Sequence, residues 1–294
     1  MKRILYLNCF SGISGDMMLG TLLDLLGEKD LVPRINGLAL ENYHVEVKTS
    51  RKKGITGLDV KVTVDELHPH RGLKEVLGIL EKSELSPFVK KKAEETFRLI
   101  ADAEGKIHGM SPDEVHFHEV GAVDSIVDVV GTCTLMEALA PDHIVASPVN
   151  VGSGTVMCAH GEFPVPAPAT LKLLEGIPVY AKGEPFERTT PTGAALLKVF
   201  AEGYGPIPAG IVERTGYGLG DRESELPNLL QGILLKSDGF AGGNAGQLHH
   251  VHTGYHDHAH SHNHNHDHLH EHSHDHNDAH EHHVHEKEKT QHSG

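Results

Sequence analysis

The groups best equipped for chemistry crowd into Val115–Gly131, VHFHEVGAVDSIVDVVG, which holds His116, His118, Glu119, Asp124 and Asp128. On an extended segment alternate side chains share a face, so His116 and His118 would project together. Gly121 interrupts that segment, and the apolar pattern from Ala122 reads as a helix on which Asp124 and Asp128 stand one turn apart. Two imidazoles followed by two stacked carboxylates form a fitting ligand set for a divalent transition metal. The same residues would equally suit a solvated edge strand and a helix whose acids occupy its dipole-favoured start.

Three loops must position whatever this stretch acts on. Ser11–Asp16 joins a strand, Ile4–Leu7, to a helix that begins at Met17 and stops at Gly27. Strand, small-residue turn and helix present backbone N–H groups to an anion, which makes Ser14, Gly15 and Asp16 candidate phosphate or substrate contacts. Ser14 or Asp16 would otherwise cap the helix, and Asp16 could instead hold a metal or a substrate hydroxyl. The turn is no GxGxxG and lacks the lysine of a P-loop. Asn150–Val156 reads as a second small-residue loop, continued by a proline-stiffened extended segment that carries His160 and Glu162 to a helix over Thr170–Leu174. Thr189–Gly193 enters the helix Ala194–Phe200 and offers Thr190 and Thr192 either to an anion or as caps. Tyr217–Arg222 and Leu226–Asn228 flank a last strand, Leu229–Leu235. His68-Pro69-His70 is a loop pair that either binds or is simply solvated.

The remaining elements build the scaffold. His44–Val47 and Leu58–Val64 alternate with period two and are joined by the basic turn Arg51–Gly54. Helices are expected from Leu73 to Leu80, from Ser86-Pro87 onward and from Ala122 to Leu139, with a buried strand at Ile144–Ala146. The fold class is α/β, a mixed sheet with packed helices.

The chain has 294 residues and a net charge of −15, a balance that disfavours nucleic acid and anionic membrane and suits a handler of cations. Three scattered cysteines form no CxxC and no disulfide framework, which fits a reducing cytoplasm; Cys133 reads as core. No signal peptide or membrane span is discernible. A boundary falls near Ser237: 1–236 is the folded catalytic or substrate domain, and 237–294 a His-rich tail holding nineteen of the 27 histidines. Its composition supports no core, so it is expected to be disordered. The HxH run including His256, His258, His260, His262, His264, His266 and His268 would capture borderline metals without imposing geometry on them.

FSGISGDM (Phe10–Met17), VHFHEVGAVDSIVDVVG, NVGSGTV, HGEFPVPAPAT, RTTPTGAALL and GYGLGDRE, in that order, resemble the nickel-insertion proteins of nickel-pincer-nucleotide biosynthesis, the LarC family. The resemblance covers about residues 3 to 235. It implies insertion of Ni(II) into pyridinium-3,5-bisthiocarboxylic acid mononucleotide, a lyase-class cyclometallation making one carbon–nickel and two sulfur–nickel bonds. It further implies CTP with Mn(II) or Mg(II), and service to lactate racemase-type enzymes. Longer members carry a further, nucleotide-associated domain after the His-rich segment. On this reading either a separate polypeptide supplies that domain, or this chain captures nickel and positions substrate without running the nucleotide-dependent step.

Residue chemistry assigns His116, His118, Glu119 and His160 to the surroundings of the nickel, and Asp124 or Glu119 either as the base that accepts the ring proton or as a group that orients the ligands. Ser14, Gly15, Asp16, Thr190 and Thr192 would line the substrate pocket. A non-enzymatic nickel store or metallochaperone and a metal-dependent phosphohydrolase are the competing functions, and a homo-oligomer is left open.

Overall fold

Strand burial alternates or is continuous according to whether one or both faces are covered, and here the helices cover one face. The computed structural model describes residues 1–64, 71–115, 117, 122–158 and 161–238. In chain order the elements are β1 (Lys2–Asn8), α1 (Gly15–Leu26), α2 (Val32–Ile35), β2 (Tyr43–Lys52), β3 (Ile55–Val64), α3 (Leu73–Lys82), α4 (Pro87–His108) and α5 (Val123–Leu139). They continue with β4 (His143–Ala146), β5 (Val149–Asn150), β6 (Thr155–Cys158), β7 (Gly161–Pro164), α6 (Pro168–Leu173), β8 (Val179–Tyr180), α7 (Pro191–Phe200), β9 (Gly203–Tyr204), β10 (Ile211–Leu219) and β11 (Leu229–Ser237).

Seven strands form one mixed sheet in the order β2-β3-β10-β11-β1-β4-β9. β4 and β9 run parallel to β1, while β11 runs antiparallel between β1 and β10. β10 is parallel to β3, and β2 turns back along β3 as a hairpin. Five strands therefore point one way, and β2 and β11 point the other.

The main core lies between the sheet and α1, α3, α4, α5 and α7, with Leu5, Leu7, Leu58, Val60, Leu230 and Leu234 facing Leu19, Leu22, Phe97, Ile126 and Val130. α1 lies so close to β10 that a side chain at Gly218 would come within 1.8 Å of the Met17 carbonyl. Thr21 fastens the two: its hydroxyl donates to the Met17 and Leu230 carbonyls and accepts from the Gly218 N–H. A small second cluster, Ile4, Tyr6, Val145 and Leu235, occupies the opposite sheet face.

Two elements go beyond the sequence reading. Tyr217–Leu219, which flanks the last strand, is the end of a nine-residue strand, β10. Asn150–Val156 does not lead straight into an extended connector, because β6 and β7 pair as an antiparallel hairpin before α6 begins at Pro168. Gly152 and Gly154 adopt positive φ in the loop before β6, and Gly161, which opens β7 opposite Cys158, does so too. Cys133 is core, as expected.

Candidate functional site

Chain direction brings the functional loops together. α1 follows β1, while α5 and α7 precede β4 and β9, so all three helices start at the carboxyl end of the parallel strands. β10 ends at the same edge, where Asp221 follows it. This is the edge at which open α/β sheets gather their ligand-binding loops.

Hydrogen bonds join the loops to one another. Ile13 N–H donates to the Arg188 carbonyl (3.0 Å), and Thr190 N–H returns to the Ile13 carbonyl (3.1 Å). A side chain at Gly193 would stand 2.3 Å from that same Ile13 oxygen, so glycine is what lets α7 abut the turn before α1. Buried Asn150 donates to the Phe10 and Lys182 carbonyls and accepts from the Gly152 and Lys182 N–H groups, and its own carbonyl receives the Thr189 hydroxyl. Thr190 caps α7 by accepting the Gly193 N–H (3.2 Å), and Thr192 is buried beside it. Thus Ser14, Gly15, Thr190 and Thr192 are brought into one locality.

α1 begins differently. Ser14 occupies its N-cap position, but the Ser14 hydroxyl donates to Asp16 Oδ1 and does not cap the helix. Asp16 itself takes the Met17 N–H. Burial pushes the Asp16 carboxyl up to about 6 against those hydrogen bonds, and the Asp221 charge adds to the rise. Asp128, a turn and a half into α5, packs directly on Gly15, where a Cβ would meet its Oδ2 at 2.3 Å. Burial, followed by the Asp16 and Asp124 charges, holds the Asp128 carboxyl well above the ordinary carboxylate range. No described residue donates a hydrogen bond to it. Asp124, one turn earlier, is exposed, with its Oδ1 taking the Ser125 N–H at 2.8 Å.

A carboxyl pair of raised proton affinity, with no described cation beside it, can accept a proton near neutral pH or bind an incoming cation. Among the described residues no group of three or more His, Cys, Asp or Glu is arranged to hold a metal. His116, His118, Glu119, His160, His68, His70 and the tail histidines lie outside the described residues.

Two buried groups escaped the reading of the sequence. Arg188 is fully buried, donates to Ser11 Oγ and Glu184 Oε2 (2.8 Å each), and stacks on Phe186 with 4.1 Å from guanidinium carbon to ring centroid. An arginine embedded in the threonine-rich RTTPTG run was the available signal. Nothing local marked Asn150 or the Asp128–Gly15 contact. Cys9, at the end of β1, is buried and its thiol is pushed up to about 12, so it is no nucleophile at neutral pH.

Residues 5–276 match a family model described as nickel insertion protein. The chain is 43% identical over 244 residues to the pyridinium-3,5-bisthiocarboxylic acid mononucleotide nickel insertion protein of Geobacillus kaustophilus, covering 79% of this chain and 59% of that one. It is 47% identical over 227 residues to the protein of the same description from Desulfitobacterium hafniense (77% and 56% covered). The Staphylococcus epidermidis counterpart is 38% identical over 239 residues (81% and 60% covered). The chain thus spans 56% to 60% of the length of these relatives. No solved structure matches.

Proposed function

The chain belongs to the nickel insertion protein family, and from that premise we propose that its folded body takes Ni(II) as a substrate and inserts it into pyridinium-3,5-bisthiocarboxylic acid mononucleotide. Bonding nickel to the ring carbon expels that carbon's proton, and the two thiocarboxylates close the sulfur–nickel bonds. The reaction therefore needs a seat for a borderline cation, a proton acceptor and a grip on a phosphorylated nucleotide.

The observation that carries this reading is the Asp16–Asp128 pair at the junction of two helix starts, its proton affinity raised toward neutral pH. In this proposal His116, His118 and His160 hold the nickel. Glu119 or Asp124 receives the ring proton, with Asp16 and Asp128 extending the accepting group. Ser14, Gly15, Asp16, Thr190 and Thr192 line the nucleotide pocket. Because Asp16 already neutralises the start of α1, the phosphate is assigned to the α7 side, whose first turn carries no acid. Tail histidines, His256 to His268 among them, gather nickel for the body.

The Phe10–Met17 turn lacks a triphosphate loop's lysine, and the described residues do not fit CTP with Mn(II) or Mg(II). That requirement is assigned to the nucleotide-associated C-terminal domain of the longer family members. The product would serve lactate racemase-type enzymes in the cytoplasm.

The test compares a chain ending at Asp238 with the same chain carrying His116→Ala and His118→Ala. Each is supplied with the dithiocarboxylate nucleotide, nickel, CTP and the candidate partner domain, and metallated product is followed by mass. The truncated chain is expected to retain insertion at raised free nickel, and the double substitution to abolish it. Insertion lost with the tail and indifferent to the two histidines would make the protein a nickel store.

A further inference from the structure

The sheet ends on one side in β2, and no described strand lies beyond it. A two-residue turn, Lys53-Gly54 with φ of 47° and 86°, joins β2 to β3 and pairs Lys52 with Ile55. Such a turn makes Lys52–Ile55 a hydrogen-bonded pair, and the alternation of an antiparallel ladder follows from it. Lys48 with Asp59 and Glu46 with Lys61 are then hydrogen-bonded pairs, their backbone groups directed at β3. Tyr43, Val45, Val47, Thr49 and Arg51 direct theirs outward, away from the sheet.

The side chains follow the same alternation. Tyr43, Val45 and Val47 lean on the main core, half-buried at its margin. Glu46 and Lys48 lie on the opposite face, bridged to each other along the strand (Lys48 Nζ to Glu46 Oε2, 2.6 Å) and each across from a charge of the other sign on β3: Glu46 from Lys61, and Lys48 from Asp59. The outer edge therefore presents a negative and a positive charge flanking Val47, which is a self-complementary pattern. Edge strands that resist pairing are short, bulged, covered or studded with charge; this one is ten residues long with no irregularity in its register, and Glu46 and Lys48 are opposite in sign, so a second copy can satisfy both.

We propose that β2 is a homodimer interface, pairing antiparallel with β2 of a second copy about a two-fold axis through Val47. In that register Val47 meets its own copy, Val45 meets Thr49 and Tyr43 meets Arg51, all through outward-facing backbone groups. Glu46 then lies opposite Lys48 of the partner subunit, twice by symmetry. The charge ladder runs unbroken across four strands: Lys61, Glu46, the partner's Lys48, the partner's Asp59. Moving the axis by one residue sets Glu46 or Lys48 against its own copy, a like-charge contact that selects against the slipped register. The two sheets become one, and the half-buried valines at the core margin are covered.

Sedimentation velocity and light scattering on the full chain test this, from sub-micromolar to high micromolar concentration and with chelator present so that tail-bound metal bridges nothing. A reversible dimer of the 31.9 kDa chain is expected. Glu46→Lys and Lys48→Glu each create two facing like charges, and each should weaken association about tenfold or more. Mixed in equal amounts, the two variants should recover a 1:1 dimer, because both pairs across the interface are again opposite in sign, while the like-charge contact each reversal makes with Lys61 or Asp59 on β3 is the same in monomer and dimer. Val47→Pro removes only an outward-facing donor, which an edge strand tolerates, and should leave a folded monomer by circular dichroism. A wild-type monomer throughout the concentration range overturns the proposal. So does a dimer that neither charge reversal weakens, or one that the mixture fails to restore.

Discussion

Replacing Asp16 by asparagine is expected to stabilise the protein, and only above mildly acidic pH. Asp16 is half-buried, accepts hydrogen bonds from Ser14 and the Met17 N–H, and is held at about 6 in place of the ordinary 3.8. A raised carboxyl binds its proton more tightly folded than unfolded. Its favourable contribution is complete below pH 3.8 and is lost as pH climbs through 6. The full loss corresponds to about 3 kcal/mol, and partial solvent access at this site brings the expected effect nearer 1–2 kcal/mol. Asparagine keeps an oxygen for Ser14 and Met17 but has nothing to ionise. Urea unfolding at pH 4, 6 and 8, with chelator present, should therefore find the variant equal to wild type at pH 4. At pH 8 it should be about 1–2 kcal/mol more stable, with unchanged dependence on urea. A difference that does not vary with pH, or a variant less stable than wild type at pH 8, would refute the electrostatic account of this pair. Nickel insertion should fall in the same variant, because a group retained at a cost to stability is one that function uses.

Arg188→Ala removes a fully buried side chain and leaves the Ser11 hydroxyl beneath the α7 entry loop without its partner, and should cost about 1–3 kcal/mol in urea. Gly193→Ala pushes α7 off the Ile13 carbonyl. It should cost about 1–3 kcal/mol despite the better helix propensity of alanine, and a thermal melt that rises would contradict the packing described.

Local pattern made much of this scaffold legible. The apolar spacing of α1, α4 and α5 and the alternation of β2 and β3 announce themselves. β10 did not, because no apolar alternation marks it. Its first half, Ile211–Thr215, is exposed, and Gly216 and Gly218 sit where α1 leaves no room for side chains. The β6–β7 hairpin was hidden because its second strand ends in the prolines that read as a stiff connector, and nothing local pairs that segment with Thr155–Cys158. At the candidate site, residue types suggested that the loops before α1 and α7 act together, but only the bonds from Ile13 to Arg188 and Thr190 explain how. Asp128 was visible as an acid on α5. Its partner, Gly15, lies more than a hundred positions away, and no spacing rule reaches that far.

The first strand and the last lie side by side in the middle of the sheet, Lys2 across from Ser237. A nascent chain that has not yet emitted Leu229 therefore exposes two raw edges, one on β1 and one on β10, with a gap between them a single strand wide. Folding of the body must wait for its own final segment to slot in, and ribosomal stalling or proteolysis just short of that point would leave a sticky half-built sheet. The same adjacency sets Met1, whose amino group lies 3.3 Å from the Asp238 carboxylate, beside the point where the His-rich segment begins, so in a body cut there a short linker from Asp238 to Met1 would permit new termini at an exposed bend elsewhere.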